Sequence, residues 1–186
     1  MMTELVHEWI SCNSPLLLLA KDQLDAWEGS DVPSRDRSVE AKFRWNADGP
    51  ATDYDRACDV NEYVGLIAVG HRKGVVLGDE PLMTTWLPMA DGGLLVRWVH
   101  ADNEETVLAA AQRISDEAFE DSGLRLEVGP SPLVLFAACE SGHDRIYPRI
   151  EFELPCGRYR ILTSLHRPDE STSLICHRLQ AEPKSL

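Results

Sequence analysis

Beyond Gly123, every apolar stretch of this chain is short, and turn-forming residues interrupt the stretches repeatedly. Five such runs follow one another: Leu124 to Val128, Pro132 to Ala137, Ile150 to Leu154, Tyr159 to Leu165 and Ser173 to Leu179. Runs of this length, bounded by Gly, Pro and Asp, specify strands rather than helices. Pro155-Cys156-Gly157 and Pro168-Asp169-Glu170 are turn-forming sets, so the last three runs predict an antiparallel meander. Any fold open to this sequence is therefore closed around sheet.

The first half adds strands and little helix. Strands are expected around Glu8 to Ser11 and at Leu16 to Ala20, then a short helix from a capping Asp22 to Trp27, stopped by Gly29. Residues 30 to 52 read as irregular, except for a short strand at Ala41 to Trp45. Tyr63 to Val69, a turn over Gly70 to Gly74, and Val75 to Leu77 form a hairpin. Gly92-Gly93 launches Leu94 to Val99. The clearest helix spans Asn103 to Ile114, with Asn103 as cap and Val107, Leu108, Ala111 and Ile114 as one apolar stripe. Ser115 to Glu120 either continues it or opens a further turn. The fold class is β-rich α+β, with antiparallel sheets and one main helix.

One internal echo bears on domain organisation. PLLLLA at Pro15 to Ala20 matches PLVLFA at Pro132 to Ala137, and each is followed by a hairpin, a Pro-marked loop and a closing strand. This predicts one domain over residues 1–186, made of two related β-rich halves, 15–99 and 132–179, by tandem duplication.

Charge narrows the partners. The chain carries 31 acidic residues against 18 Lys plus Arg, a formal net charge of −13. Residues 1–140 hold 25 of the acids and 11 of the bases, concentrated in Asp48 to Glu62 and Asp102 to Glu127. Neither nucleic acid nor an anionic membrane is an expected partner, since both need basic protein surface. A solvated face and a face that steers a basic partner both fit the acid. The opening segment lacks a basic n-region, and its apolar run, Leu16 to Ala20, is shorter than a signal h-region. No run approaches the ~20 apolar residues of a membrane span. Five widely spaced cysteines without a C-x-x-C pair indicate, for most of them, buried small hydrophobes in a reducing cytoplasm.

No catalytic or cofactor motif is present: no G-x-S-x-G, P-loop, H-E-x-x-H or G-x-G-x-x-G. No cofactor or metal is expected. His166 and His177 fall on adjacent predicted strands, where solvated polar residues are a better reading than a metal site. The most chemical-looking run is Asp53 to Tyr63. In a helical turn, Asp55, Asp59 and Glu62 share one face at i, i+4, i+7, with Asp53 beside them. Such carboxylates can bind a cation, do acid–base work, receive Arg and Lys of another protein, or cap their own turn. A second candidate, Gly78 to Pro88, sets Asp79 and Glu80 at a strand end before Trp86 in a loop, the composition of an interface anchor. Trp9, Trp27, Trp45 and Trp98 are expected in the core.

Together these segments resemble the immunity protein 21 family of bacterial polymorphic toxin systems. The resemblance lies in WISCNSPLLLLA followed by Trp27 and Gly29, then DYDRACDVNEYVGLIAVG, GDEPLMTTWLP, GGLLVRWV, LPCGRYRI and LICHRL, in order over nearly the whole chain. It implies a cytoplasmic α+β antitoxin, without catalysis of its own, that binds and blocks a cognate toxin encoded beside it. Joined to the charge, it makes the expected toxin basic, as a nuclease would be. Asp53, Asp55, Asp59, Asp79 and Glu80 are then the expected charged contacts and Trp86 the expected anchor. Two other classes stay open: an acidic secretion chaperone or adaptor, and an enzyme using the Asp53 to Glu62 carboxylates.

Overall fold

The computed structural model describes residues 7–35, 40–78 and 80–183. Among these residues eleven strands form two antiparallel sheets. In chain order they are β1 Trp9–Ile10, β2 Leu16–Ala20, β3 Gly65–Val69, β4 Arg72–Leu77, β5 Met83–Met89, β6 Gly92–His100, β7 Glu120–Val128, β8 Leu133–Ala137, β9 Ile150–Phe152, β10 Gly157–Asp169 and β11 Thr172–Ala181. Two α-helices join them, α1 Asp53–Cys58 and α2 Glu104–Ala111, with 3-10 helices at Lys21–Ala26 and Asp116–Ala118. One sheet has the order β1-β5-β6-β11-β10-β7 and the other β3-β4-β2-β8-β9. The fold is β-rich α+β.

The sheets pack face to face, and alternation along each strand decides what meets what. Leu16 and Leu18 of β2, Leu133 and Leu135 of β8, and Val75 and Leu77 of β4 point inward. They meet Leu95 of β6, Leu126 of β7, Tyr159 and Ile161 of β10 and Leu179 of β11. The ring of Trp86 on β5 stacks on Phe152 of β9, centroids 3.9 Å apart, and ties the two sheets together. Leu17, Leu19, Val134 and Phe136 point the other way, under a layer built of the first 3-10 helix, Trp27 and α1. β2 and β8 are apolar at every position because both faces are covered. The six-stranded sheet is covered by α2, whose Val107, Ala110 and Ala111 rest on Leu94, Val96, Leu174 and Cys176.

Several local expectations are corrected. β9 pairs with β8, Leu133 opposite Phe152, and not with β10. Both sides of β10 are already taken by β7 and β11, so Pro155-Cys156-Gly157 carries the chain from one sheet to the other. Residues 41–45 are not a strand, because carboxylates rather than a neighbouring strand bind their N–H groups. Met83–Met89 is a strand, which places Trp86 in sheet rather than loop. Asp22 caps nothing and instead faces Arg72 at 3.3 Å. The turn after β3 is shorter than expected, with Gly70 at φ +57 before β4 resumes at Arg72. Asn103 does cap α2, accepting the Thr106 N–H at 2.9 Å, but the helix ends at Ala111 and a separate 3-10 turn follows.

Candidate functional site

The acidic run Asp53 to Glu62 folds inward. Thr52 and Asp55 form a reciprocal capping box: Thr52 Oγ1 accepts the Asp55 N–H at 3.1 Å, and Asp55 Oδ2 accepts the Thr52 N–H at 2.8 Å. The other oxygen, Asp55 Oδ1, accepts the Trp45 N–H at 2.8 Å. Asp53 Oδ1 accepts from Ser34 Oγ at 2.6 Å and from Arg56 Nη1 at 2.8 Å, while Oδ2 accepts the Glu28 N–H at 2.9 Å. Both residues are 1% exposed. Asp59 ends α1 and accepts the N–H groups of Lys42 and Phe43, both at 2.6 Å. The expected i, i+4, i+7 face does not form: Asp59 lies beyond the last helical residue, and Glu62 stands in an exposed bend.

These carboxylates hold the segment that the sequence led us to expect as a short strand. Lys42 to Trp45 is drawn across α1, and its aromatic side chains meet Tyr54 edge-on, Phe43 at 6.3 Å and Trp45 at 6.1 Å between centroids. The indole of Trp45 remains 70% exposed, so the expectation that it joins the core is corrected. Trp27 does sit in the core, at 0% exposed, with its Nε1 donating to the Ala138 carbonyl at 2.9 Å. Nothing in KFRWN announces the difference. Each tryptophan has a polar residue directly after it, Glu28 and Asn46, and the exposure of Trp45 follows from carboxylates 10 to 17 residues away.

The second candidate run divides. Glu80 is exposed, and Asp79 lies outside the described residues. Trp86 is half-buried against Phe152, its ring turned into the space between the sheets. Beneath the β4–β5 connection, the buried Arg97 donates from Nη2 to the Gly78 carbonyl at 2.8 Å and to that of Glu80, and from Nη1 to Tyr63 O at 3.2 Å. The connection that carries Glu80 is thereby fixed to β6 and to the segment at Tyr63.

The second acid concentration keeps its charges outward. Asp102, Glu104, Glu105, Glu117 and Glu120 are exposed around α2. A cleft of about 340 Å³ opens there, lined by Leu87, Met89, Leu94, Ile114 and Phe119. At its edge Arg178 binds Asp116 at 2.6 Å and Asp91 at 2.9 Å.

Reactive groups are few. Among the described residues no three His, Cys, Asp or Glu side chains are placed to hold a metal ion. Burial pushes the thiols of Cys12 and Cys58 up and that of Cys176 to about 12, which disfavours the nucleophilic thiolate. His166 and His177 do not meet: His177 pairs with Thr163, and His166 with Leu174.

The family model described as immunity protein 21 matches residues 8–172, from before β1 into β11. No curated protein matches the chain. No solved structure matches it either.

Proposed function

The chain belongs to the immunity protein 21 family, and we propose that it binds one cognate toxin in the cytoplasm and blocks it by covering its active surface, with no catalysis of its own. The family match, which spans nearly the whole fold, carries this reading. The charge of −13 supports a basic toxin, because opposite net charges speed encounter and favour the right partner. A toxin that cleaves nucleic acid needs a basic cleft, and carboxylates standing in for phosphate oxygens would fill it. Glu80, exposed on its clamped connection, is the residue nominated from sequence that best suits a direct charged contact. Asp79 beside it shares that role in the proposal. Asp53, Asp55 and Asp59 contribute as the frame beneath Lys42 to Trp45, because their oxygens are already taken up within the chain.

The same bonds weaken the reading as a carboxylate-dependent enzyme, since a general base needs an oxygen free to take a proton from substrate. The test is coexpression with the product of the neighbouring gene. Rescue of growth, with purified proteins associating more weakly as salt rises, is the expected result. Binding without rescue would make the chain an adaptor, and failure of both would overturn the proposal.

A further inference from the structure

We infer that Trp45, backed by Phe43, is the anchor that enters an apolar slot on a basic toxin surface; this deepens the toxin-neutralising reading and rests on it. Trp45 is the one exposed tryptophan of five, at 70%, and Phe43 is 39% exposed. A large indole left in water loses the burial energy that other tryptophans of this chain gain. Tryptophan is also among the residue types most enriched where interfaces concentrate their binding energy.

The segment is built, not loose. The N–H groups of Lys42, Phe43 and Trp45 are all bound by carboxylates of α1 and its end, and Arg44 donates to the Gly49 carbonyl. The Asn46 carbonyl closes the next turn by accepting the Gly49 N–H at 3.1 Å. An anchor held in this way loses little conformational freedom on binding, which is how preorganisation raises affinity.

Three further observations agree on place and partner. Val32, Ile146 and Tyr147 are also exposed, on loops tied to the same outer layer by the Pro33–Thr52 bridge, the Gly142 N–H bond to the Trp27 carbonyl and Arg149 over the Phe136 ring, so five of the nine exposed large hydrophobics of the described chain lie on it. Within residues 40–62 the exposed charges are Glu40, Asp48 and Glu62 against Lys42, an acidic rim that suits a basic partner. The cleft beside α2 lies on the far side of the molecule. The Nη groups of its Arg178 are engaged by Asp91 and Asp116, and the cleft serves as the comparison surface.

The experiment titrates the neighbouring gene's product into the wild type, Trp45→Ala, Trp45→Phe and Met89→Glu, with thermal unfolding of each. Trp45→Ala should weaken Kd by about 30-fold or more at an unchanged Tm, with partial recovery in Trp45→Phe and no change in Met89→Glu. In the intact protein, acrylamide quenching of the exposed indole should fall when the complex forms. If the wild type binds and rescues while Trp45→Ala binds within threefold and quenching is unchanged, the anchor assignment is overturned and the function stands. Loss of binding in Met89→Glu alone overturns it in favour of the α2 side. A wild type that neither binds nor rescues overturns the function, and the anchor with it.

Discussion

Asp55 reaches back ten residues to hold the backbone of Trp45, 2.8 Å from carboxylate oxygen to amide nitrogen, and the same side chain closes the cap of its own helix. An acid that is 1% exposed thus sets the position of an indole that is 70% exposed. Asp55→Ala removes both bonds and leaves two N–H groups seeking water. We expect a loss of about 2 kcal/mol in stability, measured by denaturant unfolding. Amide exchange should quicken at Trp45 and Thr52 more than at Lys42 and Phe43, which Asp59 holds. Equal acceleration at all four would mean that the segment opens as one unit.

Arg97 is a second organiser, 1% exposed on the inner face of β6 and bonded to three carbonyls of the connections around Gly78. Arg97→Met keeps much of the volume and removes every donor. Unmaking hydrogen bonds from a buried charged group should cost about 2–4 kcal/mol, a Tm drop of roughly 5–15 °C for a chain of this size. The amides flanking Glu80 should exchange faster. A Tm within 2 °C of wild type would show that water replaces the guanidinium without penalty.

The sequence disclosed what local patterning controls. β2 and β8 were plain because both of their faces are covered, which leaves no polar position to obscure the run. The cap of α2 was plain because Asn103 acts on a residue three positions away. β5 was hidden by Pro88, which reads as a strand breaker. In the fold, among the described residues, β1 pairs with Thr84 and Thr85 and is the last strand of its sheet, so β5 lies next to the sheet edge, where a strand tolerates proline. The roles of Asp53, Asp55 and Asp59 were not legible, because spacing places carboxylates on a helix but says nothing about a distant loop folding back over them. The echo between Pro15 and Pro132 falls on β2 and β8, which pair in a register centred on Leu18 opposite Leu135. In the other sheet, β6 and β11 are likewise central, flanked by β5 and β10 and then β1 and β7. We propose this matched order as the trace of a tandem duplication. A profile built from family members over residues 15–99 that fails to detect residues 132–179 would overturn it.

His177 should make the protein sensitive to acid. Its ring is fully buried, with Nδ1 3.0 Å from Thr163 Oγ1, and burial together with the charge of Arg97 lowers its pKa to about 3. Between about pH 6.5 and 3 the unfolded chain binds a proton that the folded chain does not, so the folded state loses stability as pH falls through that window. The slope from this one group is about 1.4 kcal/mol per pH unit. Carboxylates as a class titrate in the same range, and the check is therefore a difference. Denaturant unfolding from pH 7 to 4 should show the stability gap between wild type and His177→Gln shrinking as pH falls. A gap that stays constant would mean that the buried ring is not neutral.

Glu140 should act in the opposite sense and at higher pH. Its Oε2 is buried without a hydrogen-bond partner on the loop after β8, and desolvation raises its pKa to about 7 despite the nearby Arg149. Arg149 donates instead to the carbonyls of Ser141 at 3.0 Å, Gly142 at 3.3 Å and Asp144, which leaves the carboxylate without a direct ion pair. Between about pH 4.5 and 7 the folded state holds a proton that the unfolded chain has released, so this contribution to stability is full below 4.5 and lost as pH rises through 7. Glu140→Gln keeps the shape and removes the charge. It should leave stability nearly unchanged at pH 4.5 and raise it at pH 8, and unfolding at those two values measures both. Destabilisation at pH 8 would show that the ionised carboxylate is used, with Arg149 as its partner, and that the loop is held by the pair rather than by carbonyl bonds alone.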